Sequence, residues 1–331
     1  MWRYIGRKSF IYLLTFIVAV TINWMIPRFM PGDPVRSMLN RAAIDDPDAM
    51  ARMTTYYNEL FALDRPLYEQ YLSFWAGLFR GDLGISVMFY PQEVTDVILR
   101  HVPYTLALLL PVIMLSWIIG NRFGAFAARN KVLDNSLLPL GYILTATPYM
   151  WLALLMAWTL GIVAGIFPTA GGYSMALRPD FTWQFISSLI THWFLPFLSM
   201  FIVALGGWAI GMRNLIIYEL EADYSNYLKA LGAPRRLIRR YAFRNAMLPQ
   251  ITGLAVQLGT IITGSLLTEI VFNYPGLGTL VLNSLNNRDF FLLQGIFLFV
   301  VVGVLIANFI IDIIYVLVDP RTRVQMTGGA S

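Results

Sequence analysis

Glu269 and Asp312 are the ionisable residues that fall inside apolar stretches of this 331-residue sequence. A charged group in hydrocarbon is costly and usually functional, although both stand toward the ends of their stretches, within reach of water. The stretch holding Glu269 also carries Gly253, Gln257, Thr260, Gly264 and Thr268. Steps of four or three residues put all five on one helix face. Two readings fit that stripe. Small residues let helices approach closely, or the stripe is a hydrophilic wall along a substrate path, with Gln257, Thr260, Gly264 and Thr268 as its candidates. Other chemistries are excluded by residue type. There is no cysteine, and the two histidines, His101 and His192, stand far apart, which leaves no thiol nucleophile, disulfide or zinc set. No Gly-Lys pair exists to build a phosphate-cradling Walker A loop, and HExxH and GxSxG are missing too. No catalytic residue and no metal ligand is therefore assigned. Any work driven by ATP needs another subunit to bind the nucleotide.

The elements that must position these residues follow from composition. The sequence is 57% hydrophobic and 13% charged, with a mean hydropathy of +0.62. A soluble domain carries about 25% charged residues, so a soluble enzyme, a disordered chain and a disulfide scaffold are excluded, and an all-α polytopic membrane protein remains. Six stretches reach the roughly 20 apolar residues of a membrane helix: 9–29, 103–122, 135–164, 191–212, 247–271 and 291–318. The first follows Arg3, Arg7 and Lys8 but precedes Pro27-Arg28-Phe29-Met30-Pro31 rather than a small-residue cleavage site, and it reads as a retained anchor. The domain plan is an N-terminus and first helix at 1–30, an external region at 31–102, a five-helix core at 103–318 and a tail at 319–331.

Basic residues set the orientation. The N-terminus, the 122–134 loop, the 213–246 loop and the tail together hold 15 of the 24 lysines and arginines, so both termini are expected in the cytoplasm. The net charge of +5 reflects this bias and not nucleic-acid binding. The long loop 28–102 is net negative and external. Its Asp45-Asp46-Pro47-Asp48 cluster is expected to cap a helix through Met50, Met53, Tyr57, Leu60 and Phe61. That segment reads either as an amphipathic helix on the membrane surface or as a lid over a pathway mouth. The cytoplasmic loop 213–246 is net +4. It predicts a short helix ending at Gly232 and a restart at Pro234, with phospholipid headgroups as partners on composition alone.

The residues resemble a family at this point. Arg244-Asn245-Ala246-Met247-Leu248-Pro249 through Thr268-Glu269-Ile270-Val271-Phe272-Asn273-Tyr274-Pro275-Gly276-Leu277-Gly278 is similar to the membrane permease of ABC importers in the dipeptide/oligopeptide/nickel branch. The match continues at Arg288-Asp289, at Asn308 with Asp312, and at Asp319-Pro320-Arg321. Upstream it takes in Pro31-Gly32-Asp33-Pro34, Leu63-Asp64-Arg65-Pro66-Leu67, Gln70-Tyr71, Arg80-Gly81-Asp82-Leu83-Gly84 and the Pro148 region.

The resemblance implies a type I importer permease of six spans in a prokaryotic plasma membrane. Its partners would be a second, similar permease chain, two cytoplasmic ATPases that carry ATP and magnesium, and an extracytoplasmic solute-binding protein. This chain itself would hold no cofactor. The cytoplasmic loop becomes a coupling helix, with Asp223, Tyr224, Lys229, Ala230, Gly232 and Arg235 as its contacts. Glu269 with Pro275, Gly276 and Gly278 forms an outer turn, and Glu269 either holds the turn or lines the mouth. The loop departs from the family's Glu-Ala-Ala, three residues, Gly pattern: counting back from Gly232, those places hold Asn226, Tyr227 and Leu228. Peptides are the branch's default substrate, with oligosaccharides as the alternative. A stand-alone secondary transporter is a further alternative, but neither internal repeats nor buried charge supports it.

Overall fold

The computed structural model describes residues 2–29, 39, 47–60 and 64–318. Among them the chain is helical, with one isolated β-bridge between Ile85 and Glu93. The helices are α1 (Trp2–Phe29), α2 (Pro47–Leu60), α3 (Leu67–Arg80), α4 (Val94–Ala127), α5 (Lys131–Ala146), α6 (Tyr149–Met156), α7 (Trp183–Glu221), α8 (Asp223–Ala230), α9 (Arg235–Val271), α10 (Leu277–Asn287) and α11 (Phe290–Val318). A π-helical turn, Ala157–Val163, continues α6. Among the described residues four stretches are long and apolar enough to cross a membrane: Gly6–Ile26, Val94–Ala127, Trp183–Glu221 and Phe290–Ile313. The pair Lys131–Ala146 and Tyr149–Val163 makes a fifth if it is one broken span. The region expected as another span, 247–271, forms the larger part of α9, which is not among those four. The chain is an all-α polytopic membrane protein.

The stretch expected as a single span over 135–164 is broken, with the two pieces inclined by 99°. The break lies at Thr147 (φ −81°, ψ 122°) and Pro148 (φ −64°, ψ 138°), both extended. Proline has no N–H to offer the turn before it and pushes its predecessor out of the α region. The external region expected at 31–102 contains α2, α3 and the first turns of α4, so the helix of the second expected span starts at Val94. Helix α2 begins at Pro47 with Asp48 in its first turn. Asp45, Asp46 and Phe61 lie outside the described residues, as do Pro31-Gly32-Asp33-Pro34, Leu63, Asp319-Pro320-Arg321 and the tail.

Two compact units are formed, one built on Leu106–Tyr274 and the other on Arg7–Thr105 with Pro275–Leu305. In the first, α4 meets α7 through Gly120 and Gly124, where an added Cβ would lie 2.6 Å from Trp208 Cβ and 2.1 Å from the Ala209 carbonyl oxygen. Small residues four apart permit such a backbone approach in membranes. Met212, Ile216, Ala242 and Ala246 close the core between α7 and α9. Helix α7 has 39 residues, a length of about 58 Å at 1.5 Å per residue. That is roughly twice the hydrocarbon thickness, so several turns stand outside it.

In the second unit α3 leans on α1. The Tyr71 and Trp24 rings are 5.0 Å apart, and the Tyr71 hydroxyl lies 2.8 Å from Thr21 Oγ1. Helix α3 also exposes Tyr68, Leu72 and Phe79. Gly81 (φ +76°) ends α3, and the Asp82 N–H closes the turn onto the Gly77 carbonyl at 2.9 Å. The Arg80-Gly81-Asp82 triplet is therefore a helix-stop.

Candidate functional site

Helix α7 stops at Ala222 (φ −63°, ψ 151°), although alanine favours helix. The side chains of α8 account for the stop. The last carbonyls of a helix lack intrahelical donors, and α8 supplies three. Ser225 Oγ donates to the Glu219 carbonyl (2.6 Å), Lys229 Nζ to that of Leu220 (2.9 Å) and Asn226 Nδ2 to that of Glu221 (3.0 Å). The Tyr224 hydroxyl donates to Glu219 Oε2 at 2.7 Å, and Asn245 Nδ2 of α9 donates to the same oxygen at 3.1 Å. Partial burial, then the bond to Glu219, pushes the Tyr224 phenol above its usual range and keeps it a donor.

At its far end α8 closes in a Schellman motif. The Ala233 N–H bonds the Leu228 carbonyl and the Gly232 N–H bonds that of Lys229, both at 3.0 Å, with Gly232 at φ +75°. Pro234 (φ −63°, ψ 139°) then opens α9. Asp223, Lys229, Ala230, Gly232 and Arg235 are exposed and Tyr224 is half-buried. Tyr224 and Lys229 direct their polar atoms back onto α7, so they position the short helix. Tyr227 (66% exposed), Leu231 (64%), Arg236, Arg239 and Arg240 form its free surface with Arg235. Burial and the neighbouring Arg239 charge lower Arg129 from its usual value. Glu219, Ser225 and Asn245 are residues of this site that sequence reasoning did not single out. Glu219 and Ser225 are polar residues within a turn of the break at Ala222, which is the only signal they offered, whereas Asn245 lies well inside α9.

The glycines and Thr268 of the α9 stripe meet the protein interior. Tyr149, first residue of α6 after the bend, packs on Gly264, where an added Cβ would lie 2.5 Å from the Tyr149 ring. Its hydroxyl faces the Gln257 side chain. The Trp208 ring lies 3.6 Å from the corresponding point on Gly253, and Thr268 Oγ1 donates to the Gly264 carbonyl at 3.0 Å. The side chain of Thr260 lies outside those described. Tyr149 thus covers part of the face predicted for a path, and the bend at Pro148 puts it there.

Thr268 and Glu269 are fully buried. Helix α9 ends in a second Schellman turn, with Asn273 at φ +43°, its N–H on the Ile270 carbonyl (3.1 Å) and the Tyr274 N–H on the Glu269 carbonyl (2.8 Å). The backbone of Glu269 is one element that holds this turn. In the other unit, half-buried Pro275 and buried Gly276 lead into α10, which contains buried Gly278. The Gly276 carbonyl accepts from Thr279 Oγ1 at 2.9 Å, and the Leu277 N–H donates to Thr105 Oγ1 at 2.8 Å. Asp289 is wholly buried and caps α11 by accepting the Leu292 N–H (3.0 Å), while its other oxygen accepts the Ser86 hydroxyl and the Met88 N–H (2.8 Å).

Residues 120–324 match the family described as binding-protein-dependent transport system inner membrane component. A di/tripeptide transport system permease protein of Pseudomonas aeruginosa is 28% identical, the alignment covering 98% of this chain and 100% of that protein. An oligopeptide transport system permease protein of Bacillus subtilis is 29% identical over 97% of this chain and 99% of its own length. An oligopeptide transport system permease protein of Haemophilus influenzae is 30% identical over 98% and 100% respectively.

Proposed function

The chain belongs to the binding-protein-dependent transport system inner membrane components, and from that membership we propose that it is the permease subunit of an ATP-driven importer of di- or oligopeptides. The observation that carries the substrate class is near end-to-end similarity to permeases named for di/tripeptide and oligopeptide transport. In this reading α9 completes six crossings, both termini are cytoplasmic, and a second permease of the same kind lies alongside. Two ATPases dock on the surface of α8, and a binding protein delivers peptide from outside.

The mechanism is a two-state one. Closure of the ATPase dimer displaces α8, and α8 moves the ends of α7 and α9, to which it is bonded. The spans then switch between outward- and inward-open packings. Peptide and nucleotide each shift that equilibrium only by their differential affinity for the two states. Two properties of α8 support the assignment: eight residues bonded to the end of α7 and closed by a Schellman turn resist local melting, and an exposed Tyr227, Leu231 and arginine surface suits a groove with acidic walls. The experiment is reconstitution of the chain with the permease, ATPases and binding protein encoded beside it. ATP-dependent accumulation of a labelled dipeptide is expected. Accumulation of an oligosaccharide instead, or uptake by the chain alone, refutes the reading.

A further inference from the structure

The second unit contains a cavity of about 400 Å³ at the end of α1, within the size range of small-ligand sites. Arg28, Gln70, Ser73, Arg80, Asp82 and Gln294 supply its polar lining. Arg28 sits two residues beyond the apolar run Gly6–Ile26, half-buried, its guanidinium 3.8 Å above the Trp24 ring. One close bond holds it, from Nη1 to the Trp24 carbonyl at 2.7 Å. Its other contacts are long and neutral, 3.5 Å to Gln294 Oε1 and 3.4 Å to Gln70 Oε1. Nε is buried without a hydrogen-bond partner, and among the described residues no carboxylate pairs with this cation. A charge removed from water without a counter-ion is costly, so the arrangement favours an anion in the cavity beside it. Asp82 is engaged through Oδ1, which accepts the Gly84 N–H at 2.8 Å.

The surroundings indicate where that anion comes from. Below Arg28, α1 exposes Phe10, Leu13, Leu14, Ile17, Val18 and Ile22, a lipid-facing surface. Beside Arg28 stand Trp24 and Tyr71, aromatic types that collect at the membrane–water interface, while Trp75 packs lower on α1 against Phe16. Helix α3 turns Gln70, Ser73, Gly77 and Arg80 to the cavity and Tyr68, Leu72 and Phe79 outward, as an interfacial helix does. We propose that this cavity is a headgroup site for a phospholipid of the leaflet into which α1 emerges, with the lipid phosphate held by Arg28 and its chains against α1.

The test is native mass spectrometry of the full chain, assembled with its partner subunits, delipidated and then supplied with phosphatidylethanolamine. One retained lipid per copy of this chain is expected. Arg28→Gln should retain roughly tenfold less, the loss of about one charge-assisted hydrogen bond, and Arg28→Lys should fall between. Ser73→Phe, which fills the cavity from an exposed position, should expel the lipid without touching Arg28, and it decides the matter if Arg28→Gln fails to assemble. Equal retention by wild type and Ser73→Phe, or by wild type and Arg28→Gln, overturns the proposal. Displacement of the lipid by inorganic phosphate or by a dipeptide also overturns it, because the site would then serve a free anion or a peptide carboxylate.

Discussion

Replacing Gly232 separates the two things this glycine does, since its N–H closes the last turn of α8 and its backbone is left-handed. With φ at +75° and no atom within 4 Å of an added Cβ, a side chain meets no clash and the whole cost is conformational. For Gly232→Ala that cost is about 1 kcal/mol, which lowers the population of the closed Schellman turn about fivefold. Asparagine tolerates the left-handed region, so Gly232→Asn should lie within about twofold of wild type. Proline cannot comply: its ring holds φ near −65°, roughly 140° away. It also deletes the N–H that bonds the Lys229 carbonyl at 3.0 Å. That combination costs about 3 kcal/mol or more and should unwind the end of α8. The assay is ATP-dependent peptide uptake, normalised to the amount of each variant in the membrane, with hydrogen exchange at residues 223–233 as the local readout. The expected order of uptake is wild type, Asn, Ala, then Pro at background, with membrane levels unchanged. A proline variant that transports at the wild-type rate would refute the reasoning outright.

Two further outcomes test the framework around this site. Asp289→Ala removes the cap of α11 together with both bonds to the 86–88 turn, at a cost of about 3 kcal/mol, and should lower the thermal midpoint of the detergent-solubilised protein; an unchanged midpoint would contradict the role given to the buried carboxylate. Gly264→Ala places a methyl group 2.5 Å from the Tyr149 ring, an overpacking cost of about 1–3 kcal/mol that should vanish in a Tyr149→Ala background, so an equal cost in both backgrounds would dismiss the packing of Tyr149 on the stripe.

The membrane class and most of the spans could be read from the sequence, because apolar length is a strong signal and every lipid-exposed backbone must be internally bonded. The break at Gly232-Ala233-Pro234 was equally plain, since it uses the two residues that punctuate helices. The bend at Thr147-Pro148 was not. Pro139, Pro196 and Pro249 all lie inside helices that run on past them, so a proline in an apolar run does not by itself say whether the helix stops. At Pro148 the outcome is fixed by what the bend brings together, Tyr149 onto Gly264 and Gln257, and those contacts link residues more than a hundred positions apart. The same applies to the stripe on α9. Its period showed that the residues share a face, but only the fold shows that Tyr149 and Trp208 lie over Gly264 and Gly253.

The break at Ala222 carries the most for the proposed function and was the least legible, because nothing in Glu221-Ala222-Asp223 forbids a helix. It exists because Ser225, Asn226 and Lys229 serve the carbonyls that α7 leaves open, while Glu219 collects Tyr224 from α8 and Asn245 from α9. One carboxylate therefore joins three helices at the point where a partner would push. A rigid short helix alone could slide over its neighbours when displaced. With Glu219 bonded on both sides, moving α8 without moving α7 and α9 means breaking charge-assisted hydrogen bonds, each stronger than a neutral one. Displacement of all three together is the less costly response, and α7 and α9, with 39 and 37 residues, are long enough to carry it across a bilayer.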